Sequence, residues 1–177
     1  PMEWNENAPK FDIGTMSKQG MSHYTQIGHQ PPLTFWVSIN DQCAISTLLT
    51  TNQDNWVIVS KLDFSNFVHP RLPGAIKVEV ATSTSDSTRN VKGAAVSLYK
   101  ALADVGITVA SDREHFQGGK GLWKAIARDP KFTVNILNPD GSIDPRAYNG
   151  SNIPDSEIWV PPGTPAEQIP LLVLRKR

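Results

Sequence analysis

The sequence predicts an α/β (α+β) fold in one domain, a mixed and mostly antiparallel central sheet with helices packed on it. Three observations carry this reading. Aromatic and β-branched runs recur at hairpin spacing between residues 33 and 62, as the strands of a meander do. After residue 90 the apolar period switches from two to that of a helix, and strand-like runs return after each helical stretch. The length of 177 residues suits a single core, since one core typically serves ~100–200 residues. The 17 Lys and Arg balance 17 Asp and Glu. A formal net charge of zero argues against gripping nucleic acid or an anionic membrane as the main business, because both need a net basic face.

Residues 1–32 are polar and mixed and end in Gln30-Pro31-Pro32. They read as an N-terminal arm, partly ordered or ordered against a partner, preceding a single domain at 33–177. Leu33–Ile39, Ala44–Thr50 and Asn55–Leu62 are three strands separated by short polar turns. Phe64–Gly74 holds Pro70 and Pro73 and reads as loop, after which Ala75–Ala81 alternates apolar with polar as a fourth strand. The small polar run Thr82–Thr88 then leads to a helix. Val91, Ala95, Leu98, Leu102 and Val105 follow at spacings of four, three, four and three, which puts them on one face, and Gly106 is placed to stop it.

Ile107–Ser111 is a fifth strand. A single helix separates it from the fourth, so the two should run parallel through a right-handed crossover. Leu122–Arg128 is a shorter helix stopped by Asp129-Pro130, and Phe132–Leu137 is a sixth strand. Asn138–Ser156 is a connection rich in Pro, Gly, Asn and Asp, before the apolar Leu171–Leu174.

No run approaches the ~20 apolar residues that span a bilayer. Pro1-Met2-Glu3-Trp4 lacks the basic and apolar halves of a signal peptide, so a cytoplasmic protein is expected. The lone Cys43 has no activating His near it in sequence and reads as a small buried hydrophobe. His23, His29 and His69 have no partner at metal-ligand spacing, and no metal site is expected.

The chemistry concentrates at Asn90-Val91-Lys92-Gly93-Ala94-Ala95, where a strand end feeds a helix through small residues. The unpaired N–H groups of a helix's first turn and the positive end of its dipole make an anion site, and Lys92 adds a cation beside them. A phosphate or pyrophosphate suits that spot. Neither the three-glycine dinucleotide fingerprint nor the Gly-x-x-x-x-Gly-Lys-Ser/Thr loop is present. The stretch resembles instead the acyl-CoA-binding motif Gln/Arg-x-x-Gly-x-Gly/Ala of the GNAT superfamily of N-acetyltransferases, and the order of elements over roughly residues 55–137 is similar to that family's.

The resemblance implies an acyl-CoA N-acyltransferase-like fold in which the fourth and fifth strands splay apart. The pantetheine of acetyl-CoA or another acyl-CoA would lie along Val80 and Ala81, and its pyrophosphate on Lys92, Gly93, Ala94 and Ala95, with Asn90 at the motif's first position. Glu79 is the candidate base for the acceptor amine. The family's general acid is usually the Tyr of a Leu-Tyr pair after the fifth strand, where this chain has Leu122-Trp123. An indole N–H cannot protonate a leaving group. Ser111 or His115, at the C-terminal end of the fifth strand where ligands approach open sheets, is the substitute acid.

Each of these residues also has a plainer reading. Asn90–Ala95 fits a tight turn with small residues for helix-on-sheet packing, Glu79 between Val78 and Val80 fits a solvent-facing position, and Ser111–His115 fits a solvated loop. The function implied is an acyltransferase moving an acetyl or other acyl group from a CoA thioester to an amine. The alternative is a catalytically inactive relative that acts as a binding, inhibitory or structural component through a protein partner on the arm. The combination of Val109-Ala110-Ser111-Asp112, Gly118-Gly119 and Leu122-Trp123 also resembles divergent acetyltransferase-like proteins encoded by bacteriophages, which suits that alternative.

Overall fold

The computed structural model describes residues 1–52, 54–89 and 91–177. The meander expected from the aromatic and β-branched runs is present as β5 (Leu33–Ser38), β6 (Cys43–Leu49) and β7 (Asn55–Asn66), each antiparallel to the next. β7 runs four residues beyond the expected end at Leu62 and pairs with β8 (Ile76–Thr84). Along β6 and β7 the side chains alternate between two apolar layers, Ala44, Val57 and Val59 on one side and Ile45 and Ile58 on the other. That alternation is the strand period of two expressed as burial on both faces of a central sheet.

The helical face follows the predicted spacing at Leu98 and Leu102, while Val105 lies at the C-cap and is 49% exposed. Helix α1 (Ala94–Asp104) starts after Gly93, which adopts a left-handed φ of 80° as its N-cap, so Val91 falls before the helix. Leu98 and Leu102 are fully buried, and with the inner sides of β5, β6, β7 and β9 (Val109–Ala110) they form the largest apolar cluster. Helix α2 (Gly119–Ala127) adds Trp123 and Ile126 to the same cluster. A buried leucine or isoleucine of this kind contributes roughly 1.5–3 kcal/mol, so these two helices fasten one face of the sheet.

The sheet is mixed and mostly antiparallel. Its main path runs β12 (Ile143–Tyr148), β11 (Phe132–Leu137), β13 (Leu171–Lys176), β9, β8, β7, β6, β5 and β4 (Thr25–Gln30). β8 and β9 are parallel, as the single-helix crossover requires. A short helix, α3 (Asp155–Ile158), lies between β12 and β13.

Residues 1–32 do not form a separate arm. β1 (Met2–Asn7) pairs in parallel with β10 (Glu114–Gln117), β2 (Lys10–Phe11) in parallel with β8, β3 (Thr15–Ser17) with β7, and β4 with β5. Met2 and Met21 are buried, at 3% and 7% exposure. These polar strands are held by backbone hydrogen bonds to their partner strands, and Met2 and Met21 are their buried apolar anchors, while β2, β3 and β4 bury no side chain fully. The boundary expected at residue 33 is therefore absent, and the segment expected to be available to a partner is engaged within the chain.

Candidate functional site

The site arises where two strands part. β8 and β9 pair only at Ile76 with Val109 and Lys77 with Ala110. Beyond Ala110 the chain stays with β13 instead: the Ser111 N–H donates to the Leu172 carbonyl at 2.8 Å, and the Leu172 N–H donates to Ser111 Oγ at 2.9 Å. β8 bends the other way. Asp63 and Phe64 of β7 face Val80 and Val78, so Glu79 is the extra residue of a β-bulge. A bulge kinks its strand and increases its twist, and here it leaves Glu79, Val80 and Ala81 exposed in succession where alternation would have buried one of them.

A cavity of about 370 Å³ fills the gap. One wall is β8, with Val78, Glu79, Val80 and Ala81; the other is the chain from Asp112 to Gly118, including β10. Tyr99 of α1 and Trp123 of α2 form its inner surface, packed edge to face at 5.3 Å and 63°. Ala8, between β1 and β2, also lines it. Ser83, Ala95 and Leu122 line both this cavity and a second one of about 220 Å³, which is bounded by Lys92, Gly93 and Ala94. The two cavities thus adjoin, one at the parting strands and the other at the N-terminus of α1. Gly93 offers that helix no side-chain cap and no acidic residue lies in its first turn.

On the gap side of β8, β9 takes Ile76 and Lys77 and β2 takes Ser83 and Thr84. Between them Val78–Thr82 has no strand partner on that edge among the described residues. Exposed strand edges of this kind are a template for pairing with an extended, amide-bearing molecule.

The expected site residues divide. Val80 and Ala81 line the cavity, Lys92, Gly93, Ala94 and Ala95 line the groove at the helix, and Asn90 lies outside the described residues. Glu79 lines the cavity but is already engaged, accepting the Ser65 hydroxyl at 2.6 Å with Lys77 Nζ at 3.8 Å. Ser111 is fully buried and its hydroxyl accepts the Leu172 N–H, so it joins β9 to β13 and does not face the cavity. The expectation of Ser111 as an acid is corrected on that ground.

His115 does line the cavity, at 9% exposure. Its Nε2 donates to the Asp112 carbonyl at 3.1 Å, which leaves Nδ1 bare, and that buried nitrogen has no partner among the described residues. Burial lowers its pKa to about 4, so the ring is neutral near pH 7 and is a poor proton source there. Gly119 makes this packing possible: a Cβ added there would lie 2.5 Å from His115 Cβ and 2.9 Å from Nδ1.

Two further polar residues of the cavity were not singled out by the sequence. Asp112 sits at the point of divergence, half-buried, its Oδ1 accepting the Arg113 N–H at 2.7 Å. Burial raises its carboxyl above the usual range. Tyr99 supplies the cavity with a phenol, held protonated because burial and the nearby Asp112 charge both raise its pKa. The helical spacing marked its neighbour Leu98 as core, and Tyr99 lies one position round the same helix. Among the described residues, Glu79, Asp112 and Glu114 line the cavity while no Lys or Arg does, whereas Lys92 stands at the helix end of the groove. No group of three or more His, Cys, Asp or Glu able to hold a metal occurs among the described residues.

No helix is long and apolar enough to cross a membrane. Comparison with protein-family models, with curated proteins and with solved structures gives no match for this chain.

Proposed function

We propose that this protein is an acyltransferase that moves an acyl group from a CoA thioester to an amine. The observation that supports it best is the adjacency of two cavities: the one beside the unpaired β8 edge shares Ser83, Ala95 and Leu122 with the one at the N-terminus of α1, a helix without a side-chain cap. Pantetheine is extended and carries two amides, which suits pairing with the backbone of Val80 and Ala81. The Ala94 N–H already donates to the Val91 carbonyl at 3.2 Å, so a pyrophosphate would rest on the next first-turn N–H groups of α1 beside Lys92, where the helix dipole is positive. The thioester would then lie near the point of strand divergence, among the carboxylates of the cavity and the Tyr99 phenol. A phenol is a proton donor that the indole of Trp123 is not.

The alternative of a catalytically inactive relative that binds CoA or a partner without transfer rests on Trp123, which is 1% exposed and occupies the position expected for the acid. Binding and transfer are measured separately to tell the two apart. Acetyl-CoA at 100 times its Kd stabilises by about 2.7 kcal/mol, which for a chain of this size is a Tm rise of about 5–10 °C. Lys92 is exposed, so Lys92→Glu leaves the fold intact and reduces the shift several-fold. No shift with wild-type protein at millimolar acetyl-CoA overturns the proposal; a shift without thiol release in the presence of amines supports the inactive alternative.

A further inference from the structure

We infer that the proton of the acceptor amine is taken by Asp112, and that the acceptor enters the cavity as a cationic alkylammonium. This rests on the acyltransferase reading above and moves the base from β8 to the opposite wall. Asp112 is the second residue after the end of β9, beside the last strand pair before the walls separate. Its Oδ1 is fixed by the Arg113 N–H, which aims the carboxylate without neutralising it. Glu79 is a weaker candidate, because its carboxylate already receives the Ser65 hydroxyl and lies near Lys77 Nζ, and its side chain is 45% exposed.

The substrate class follows from the lining. Three carboxylates and no Lys or Arg surround the cavity among the described residues, and a low-dielectric wall of Val78, Leu122 and Trp123 strengthens their field. His115 lines the same wall and adds no charge, its unpartnered Nδ1 packed against Gly119. Such a cavity favours an alkylammonium over a neutral arylamine. An alkylammonium also requires a base, since its nitrogen has no lone pair until a proton leaves.

In the reaction the ammonium gives one proton to the Asp112 carboxylate. The freed lone pair attacks the thioester carbonyl carbon and a C–N bond forms. The C–S bond breaks with its electron pair on sulfur, the second nitrogen proton passes to that sulfur, and Asp112 returns its proton to water. Alkylammonium and thioester thus give amide, thiol and one proton.

Thiol release from acetyl-CoA tests this with spermidine and with aniline as acceptors, from about pH 5 to 9, for the wild type, Asp112→Asn, Asp112→Glu and Glu79→Gln. The charged groups that face Asp112 are Lys77 and Glu79 on β8, with the Tyr99 hydroxyl on α1 and Arg113 and Glu114 beside it in the chain. Asp112→Asn keeps the oxygen that accepts the Arg113 N–H, so its Tm and its acetyl-CoA shift stay near wild type. Its kcat/KM with spermidine falls about 100-fold or more and the acid limb of the pH profile disappears, while Asp112→Glu restores part of both. An acid limb that survives in Asp112→Asn but vanishes in Glu79→Gln, or aniline preferred over spermidine, overturns the inference and leaves the acyltransferase reading standing. Acetyl-CoA binding with transfer to neither amine overturns the inference and favours the inactive alternative; no binding overturns the inference and the acyltransferase reading together.

Discussion

Helix α2 contains two glycines that make opposite predictions. A Cβ on Gly119 would lie 2.5 Å from His115 Cβ and 2.8 Å from Cγ. Those atoms stand next to the backbone of β10 and cannot swing aside, so Gly119→Ala must push α2 away from the cavity wall. Overpacking of this kind costs about 1–3 kcal/mol, and the gain from replacing a helical glycine offsets roughly 0.5–1 kcal/mol of it. Gly121, two residues on in the same helix, is exposed and its Cβ would meet nothing within 4 Å. Gly121→Ala therefore stabilises by about 0.5–1 kcal/mol. In urea unfolding the two midpoints should lie on opposite sides of the wild type, with Tm values separated by several degrees at about 2–4 °C per kcal/mol. Gly119→Ala should also weaken acetyl-CoA binding, because the displaced wall belongs to the cavity. Equal stability of the two variants would refute the close packing of His115 against α2.

The remaining predictions concern buried polar groups. The His115 pKa is about 4 in the folded chain against 6.5 when unexposed to burial, so below pH 6.5 the unfolded state binds the extra proton and stability falls until the pH reaches about 4. The full loss is on the order of 3 kcal/mol. His115→Gln should remove most of that acid slope in urea melts at pH 7 and pH 4.5, and an unchanged slope would exclude His115 as its source. Ser111→Ala leaves the Leu172 N–H without its side-chain acceptor in a buried position, at a cost of about 1–3 kcal/mol. Transfer activity of the folded protein should be unaffected, and activity lost at wild-type stability would return Ser111 to the reacting centre.

What the sequence made legible was structure specified locally. The spacing from Val91 to Val105 located α1 to within a few residues, because its apolar stripe is what the sheet buries. The parallel β8–β9 relation followed from one intervening helix. The elements that were not legible are those whose partners lie far away. β1 buries only Met2, and its pairing with β10 joins residues more than a hundred positions apart. β12 contains Pro145 and lies at one end of the sheet, where a missing N–H costs little and the proline reads as loop. In the site the small-residue turn at Gly93 was legible for the same local reason as α1. Glu79 was visible only as one member of an alternation, since a bulge depends on how β7 pairs with β8 and leaves no mark in either strand alone.

Charge shows the same division between what composition reports and what folding arranges. A net charge of zero gives no hint of polarity, yet the groove carries carboxylates at the parting strands and a lysine with a helix N-terminus at the other end. The N-terminal segment ties the two walls of the larger cavity together. β1 grips β10 on one wall and β2 grips β8 on the other, so the chain between them spans the gap, with Ala8 lining it. The Lys120 N–H, in the first turn of α2, donates to Glu3 Oε2 at 2.7 Å, which fastens the segment to the second wall and satisfies a first-turn donor of that helix from within the chain. Among the described residues the N-terminus of α1 has neither a side-chain cap nor an acidic first turn. The walls are therefore held apart by the chain's own backbone, so a ligand would enter a gap that already exists, with little ordering cost to offset its binding.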